Sequence, residues 1–165
     1  MDYPITSFLI ILLVSIYIYQ YIDTPIMILN IKNLFLQKLV STFLHLDGFH
    51  LFQNCITLNN FRFIESIITS KEYIKMILFL VVINSVIWNI MSELFFIRFS
   101  IGFSGVLFGL ITIFPQNSLF GFHINKYLFP FVMLFLMQLL VSNISFMGHL
   151  IGIISGHLYL YLYYD

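Results

Sequence analysis

Residues 127–164 read YLFPFVMLFLMQLLVSNISFMGHLIGIISGHLYLYLYY and contain no Asp, Glu, Lys or Arg. A helix crossing the hydrocarbon core of a bilayer takes about 20 residues. The run therefore holds two spans only if a tight turn joins them, and Ser142-Asn143 supplies one. Charge-free runs also cover 3–22, 76–92 and 99–125, with a shorter one at 48–61. Of the 165 residues 61% are apolar and 8% are charged, with a mean hydropathy of +1.01. A soluble domain is about a quarter charged. Water cannot cover so much lipid-like surface, so the chain reads as an all-α, polytopic membrane protein, a single domain over 1–165. Seven basic residues cancel seven acidic ones, which leaves no basic surface for nucleic acid. One cysteine, Cys55, excludes an internal disulfide and a CxxC metal site. The N-terminal run lacks a basic n-region and a small-x-small cleavage site, so it reads as a retained helix rather than a signal.

Six spans fit the remaining punctuation. The first is predicted over Ile5–Ile22, ending at Asp23-Thr24-Pro25. Residues 26–40 are too short and interrupted to span; Asn30, Asn33 and Gln37 recur at helical spacing among apolar residues, which predicts an interfacial helix. The second span runs from Gly48 to Ile68, and Ser70-Lys71-Glu72 turns the chain into the third, Tyr73–Met91. Residues 93–100 form a loop. The fourth span starts near Gly102 and stops before Pro115. A polar connection with Asn117, Gly121 and Lys126 leads to the fifth, Tyr127–Val141, and the sixth covers Ile144–Tyr163. Alanine is absent, and Ile, Phe, Tyr and Asn are abundant, a bias of coding rather than chemistry. Close helix contacts in lipid need small residues, so here they fall to glycine and serine. Six of the eight glycines lie in two segments, as Gly102, Gly105 and Gly109 and as Gly148, Gly152 and Gly156.

Polar side chains within such segments are costly and are functional candidates by default. Three groups qualify: His45, His50 and Asn54 around the head of the second span, Gly102-Phe103-Ser104-Gly105 at the head of the fourth, and Gly148-His149 early in the sixth. Alternate spans run in the same direction, so all three groups lie in one leaflet. The chemistry open to this set is acyl transfer. A serine hydroxyl attacks once a histidine takes its proton. The tetrahedral oxyanion then needs preorganised donors, which His50, Asn54 and the N–H groups of a helix start can supply. The small-xxx-small glycine spacing lets the fourth and sixth spans approach until the serine of one meets the histidine of the other. The serine motif is not a nucleophile elbow, which requires glycine two residues after the serine and a strand–helix turn. His123 falls in a connecting loop, and His157, two turns beyond His149, has no assigned role.

These residues resemble the rhomboid family of intramembrane serine proteases over roughly 41–160, most closely the small eukaryotic form of the endoplasmic-reticulum type. His45, His50 and Asn54 match the family's H-x4-H-x3-N spacing, Gly102-Phe103-Ser104-Gly105 its GxSG, and Gly148-His149 with Gly152 and Gly156 its GHxxGxxxG. The resemblance implies a six-transmembrane-helix bundle with Ser104 as nucleophile and His149 as general base. His50, Asn54 and the Ser104 amide would form the oxyanion hole. It implies no metal and no cofactor. The substrates would be single-pass transmembrane proteins within the lipid bilayer, cleaved from the luminal or extracellular side in the endoplasmic reticulum or another endomembrane. A dyad without aspartate agrees with the absence of acidic residues between Arg98 and Asp165. The sequence departs from the family in three places. Phe108 stands where a tyrosine is usual, residues 61–64 replace the glycine ahead of Glu65, and the first loop lacks the Trp-Arg pair.

Two other readings are compatible with the composition. A catalytically silent rhomboid-like protein would bind membrane clients without cutting them, but it has no need to keep both Ser104 and His149. A small hydrophobic subunit of a membrane complex has no need of serine, histidine and asparagine at one depth. Charge bias does not orient the chain: with a cytosolic N-terminus, Arg62, Lys71, Lys75 and Lys126 oppose Lys32, Lys38 and Arg98.

Overall fold

A computed structural model of the chain describes residues 3–22, 31–95, 100–116, 118–141 and 145–164. Helix α1 covers Pro4–Ile22. The short α2, Leu34–Ser41, is opened by Asn33, whose side chain accepts from the Leu36 N–H at 3.0 Å. Helix α3, Gly48–Asn60, is capped by Asp47 accepting from the His50 N–H at 2.7 Å, as such side chains do for orphan N–H groups. Then follow α4, Arg62–Ile68, and the long α5, Ser70–Phe95. Helix α6 is Ser104–Ile113, α7 is Phe129–Leu140, and α8 is Phe146–Tyr163, capped by Ser145. The expected terminus at Asp23-Thr24-Pro25, the interfacial position Asn30, Arg98 in the third loop, Asn117, the turn at Ser142-Asn143 and Asp165 all lie outside the described residues.

Among the described residues two helices, over Pro4–Tyr21 and Ser70–Phe95, are long and apolar enough to cross a membrane. Helices α6 and α7 are apolar but shorter. At a rise of about 1.5 Å per residue, α6 reaches only about half of a hydrocarbon core about 30 Å thick. It can be short because it never meets lipid: every residue from Val106 to Ile113 is buried. Helix α8 lies along it, α5 packs on α8 and on α6, and α3 and α7 close the other sides, while α2 rests on α5 and α1 on α3. The outer faces carry Phe8, Ile11, Ile18, Val82, Phe135 and Leu139, all exposed. A soluble protein rarely exposes such continuous apolar surface; in lipid it is the ordinary outer face.

Three local features differ from expectation. The second span is broken at Phe61, whose N–H is shared between Thr57 and Leu58 carbonyls at 3.2 and 3.1 Å while Ile64 N–H reaches back to the Phe61 carbonyl at 3.0 Å. The preceding Asn59-Asn60 pair, poor in helix propensity, concedes the tightened turn there. The third helix starts at Ser70 and ends at Phe95, so it takes in the expected Ser70-Lys71-Glu72 turn and part of the expected loop at 93–100. The corner is made instead by Thr69, at φ 72°. The connection before α7 contains a two-stranded hairpin, β1 Ser118–Leu119 and β2 Phe122–His123. Phe120 and Gly121 both have positive φ, 50° and 83°, as the two-residue turn with the right twist requires. His123 is exposed there.

Glu65, the acidic residue late in the second span, is buried and caps α1 from outside. Its carboxylate accepts from Ile5 N–H at 2.9 Å, from Thr6 N–H and hydroxyl at 3.0 Å each, and from the Ser70 hydroxyl at 2.7 Å. One side chain thus satisfies orphan donors at the first turn of α1 and holds the α4–α5 corner.

Candidate active site

The head of α6 and the second turn of α8 meet because nothing stands between them. A Cβ on Gly152 would collide with the Gly105 carbonyl oxygen and lie 3.0 Å from the Phe108 Cβ; one on Gly156 would lie 2.6 Å from Thr112 Cβ and 2.7 Å from the Gly109 carbonyl. At this distance Ser104 Oγ and His149 Nε2 are 2.9 Å apart. His149 is 3% exposed. The Phe108 ring stacks on the imidazole with centroids 4.4 Å apart and planes inclined by 19°. The hydroxyl that a tyrosine would add there is not needed for stacking, and an aromatic face is a favourable neighbour for imidazolium.

Helix α3 brings the remaining groups. The His50 ring lies against Gly102, where a Cβ would come within 2.5 Å of Cε1 and 2.8 Å of Nε2. Gly102 also has φ +115°, a backbone region open to glycine and strained for other residues. The turn into Ser104 therefore depends on glycine twice over. Asn54, 3% exposed, donates one N–H to the His50 carbonyl at 2.7 Å. An amide carries two such hydrogens, so one is left uncommitted on a residue that lines the cavity. His45 is fully buried, edge-on to the His50 ring at 5.1 Å. Its backbone is clamped by Gln20 of α1, whose amide donates to the His45 carbonyl at 2.8 Å and accepts from its N–H at 3.2 Å. His45 thus stands behind His50 and outside the cavity lining. His157 lies against Phe131, 6.4 Å away.

A cavity of about 90 Å³ opens over the Ser104–His149 pair. His50, Gln53, Asn54 and His149 give it polar walls; Leu107, Phe108, Ile111, Met133 and Met137 give it apolar ones. That volume accommodates a few waters or a peptide carbonyl with a small side chain. The methionines of α7 had no signal in the sequence, because only the tertiary fold brings α7 opposite α3. Their flexible thioethers suit a wall that adapts to varied side chains.

The chain matches the family model of the rhomboid domain over residues 32–165. It is 28% identical over 142 residues to a protein of Acanthamoeba polyphaga mimivirus that carries the rhomboid name, covering 85% of this chain and 82% of that one. Two Arabidopsis thaliana proteins also match. Rhomboid-like protein 15 is 44% identical over 69 residues, 38% of this chain and 17% of its own length. Rhomboid-like protein 14, mitochondrial, is 27% identical over 150 residues, 81% of this chain and 43% of its own. No solved structure matches the chain. With the rhomboid domain covering most of its length and its helices packed around the buried α6, the chain belongs to the rhomboid family and has that family's all-α membrane fold.

Proposed function

We propose that the chain is an intramembrane serine endopeptidase, crossing the bilayer six times through α1, α3–α4, α5, α6, α7 and α8. It hydrolyses a peptide bond in or near a transmembrane segment of another membrane protein. The 2.9 Å contact between Ser104 Oγ and His149 Nε2, at the floor of a cavity walled by His50 and Asn54, carries this reading.

Ser104 Oγ attacks the scissile carbonyl carbon as its proton passes to His149 Nε2. The carbonyl electrons move onto oxygen, and that oxyanion receives hydrogen bonds from His50, the free N–H of Asn54 and the Ser104 amide at the head of α6. Such donors act most strongly in a water-poor site. The tetrahedral species collapses with loss of the amine, which takes the proton from Nε2 and leaves an acyl-serine. Water entering the cavity gives its proton to Nε2 and its oxygen to the acyl carbon, and collapse restores Ser104. Among the described residues no aspartate bonds the imidazole; its ring is held by Phe108 and by the α6–α8 contact. The reaction calls for neither metal nor cofactor.

The test is cleavage of a panel of single-pass transmembrane proteins by purified wild type and Ser104→Ala in the same bilayer. Products from the wild type alone support the reading. Equal outcomes with intact client binding would favour the silent, client-binding rhomboid-like alternative. The motif resemblance favours an endomembrane of the endoplasmic-reticulum type, and the plant relative named mitochondrial offers a competing address; fractionation against marker proteins decides between them.

Two predictions arise from these roles. Asn54→Ala leaves the fold intact and lowers turnover about tenfold to a hundredfold, less than the 10²–10³ loss known for one oxyanion donor elsewhere, because His50 and the Ser104 amide remain. Labelling of Ser104 by a fluorophosphonate should persist in this variant; full activity in Asn54→Ala with a dead His50→Ala would place the hole on His50 alone. Second, a base must be neutral, so turnover should fall as acid protonates His149. A rate unchanged from acid to neutral pH, with the fold intact, would remove His149 from that role.

A further inference from the structure

Behind the dyad, on the side away from the cavity, lies a charge that the mechanism above does not use. Lys38 sits on α2, a helix of eight residues too short to span, yet its side chain is 7% exposed. Its ammonium donates to the Ser100 carbonyl and contacts the Ser100 hydroxyl, both at 3.2 Å, and lies 5.0 Å from the centre of the Trp88 ring of α5. Among the described residues no carboxylate pairs with it. A buried cation without a counter-ion is costly, so its retention points to what it holds. The pocket it shares with Trp88, Asn84, Gly102, Gly105 and Gly148 measures about 10 Å³, too small for any ligand beyond a water.

What it holds is the approach to the nucleophile. Ser41, one helical turn from Lys38, donates its hydroxyl to the same Ser100 carbonyl at 2.9 Å and accepts the Gly102 N–H on its own carbonyl at 3.0 Å. The single Ser41 hydroxyl hydrogen also has the Lys38 carbonyl within 2.9 Å, so the Ser100 carbonyl is held by the Lys38 ammonium and by a Ser41 proton shared with the backbone of α2 itself. The Ser100 hydroxyl in turn presses on the backbone of α8, where a Cβ on Gly148 would lie 2.5 Å from it. The residue after Gly148 is His149. We propose that Lys38 is a positioning residue for the Ser104–His149 pair: its ammonium ties Ser100 to α2 and so fixes both the turn that presents Ser104 and the register of the α8 backbone beside His149.

The inference rests on the protease reading. Burial lowers the Lys38 amine from the usual 10.5 to about 8. Of the element packed on α2, helix α5, the nearest titratable group is Glu93, exposed more than a turn past Trp88; Lys71, Glu72, Tyr73 and Lys75 sit at its far end. Across the α6–α8 contact lies the His149 imidazole, which itself faces His50. The sign is then fixed. The charged amine binds Ser100 most tightly, so activity is present below about pH 8 and falls as pH rises through that value. Stability moves the other way, because the unfolded chain holds its proton up to 10.5 and folding grows more favourable between the two values. An alkaline loss of activity without loss of fold is a signature that a merely space-filling lysine would not give.

The experiment measures the rate of fluorophosphonate labelling and the cleavage of a model transmembrane substrate from about pH 7 to about pH 9.5, for the wild type, Lys38→Met and Lys38→Arg in one bilayer. The wild type should lose activity several-fold across this range. Lys38→Met, which keeps the apolar stem over Trp88, should label and turn over about tenfold more slowly with KM little changed, as expected when geometry rather than substrate binding is lost. Lys38→Arg, whose charge does not titrate here, should keep most of the activity and lose the alkaline limb. A flat wild-type profile, a fully active Lys38→Met, or an alkaline limb retained in Lys38→Arg would each overturn the proposal. If Lys38→Met does not fold, the wild-type and Lys38→Arg profiles decide. A folded wild type that neither labels nor cleaves at any pH would instead sink the protease reading, and this inference with it.

Discussion

Ser104→Ala and His149→Ala are each expected to bring cleavage down to background, a loss on the order of 10⁴-fold or more. On the proposed mechanism the two should be equally severe, since the pair would act as a unit: a serine without a base at 2.9 Å is only an alcohol, and an imidazole without the hydroxyl has no proton to take. The double variant should be no worse than either alone. Such non-additivity is what distinguishes a shared step from two independent contributions. Neither substitution should unfold the protein. Ser104 begins α6 with no side-chain cap to lose, and replacing His149 removes a buried ring that Phe108 can partly cover. Residual turnover in Ser104→Ala above that of an empty membrane would mean that another group attacks.

The second large effect belongs to a residue that touches no substrate. Gly152→Ala puts a methyl group into the Gly105 carbonyl, and backbone cannot rotate away as a side chain can. Overpacking of this kind costs about 1–3 kcal/mol, and this site should fall at the upper end because both walls are helix. Parting α6 from α8 by about an ångström also parts Ser104 from His149, and a displacement of that size can cost about 10²-fold in rate. Gly48→Ala is the control. The nearest atom to its Cβ would be the Tyr17 hydroxyl at 3.6 Å, an ordinary contact. Melting of the purified proteins followed by circular dichroism, together with cleavage rates, checks both. Equal stability and activity of Gly152→Ala and Gly48→Ala would show that the helices do not meet as closely as described.

The glycine contacts were legible in the sequence because spacing states them: with alanine absent, the glycines four positions apart all lie on the fourth and sixth spans. The boundaries of α6 were legible as well, since Pro115 and the Gly102 turn punctuate a charge-free run. The hairpin was not. Phe120 occupies a positive-φ position normally given to Asn, Asp or Gly, so no local signal marked it. The break at Phe61 hid inside an apolar pattern that continues through it. The departure at the first loop, where the Trp-Arg pair is missing, could be seen as an absence. That Lys38 and Ser41 bond Ser100, just ahead of Gly102, could not, because Ser100 lies about sixty positions from both and they meet only in the fold. Asn54 is a finer case: its type and spacing suggested a donor, and only the structure shows one of its two N–H groups already spent on the His50 carbonyl.

The central claim, that Ser104 is a nucleophile activated by His149, is tested most directly by a covalent adduct. Wild type, Ser104→Ala, His149→Ala and Asn54→Ala, each shown to be folded, are treated with a fluorophosphonate and digested, and the modified residue is located by mass spectrometry. The predicted result is one adduct on Ser104 in the wild type and in Asn54→Ala, and none in Ser104→Ala or His149→Ala. An unmodified Ser104 in the folded wild type, or an adduct that survives the loss of His149, would contradict it.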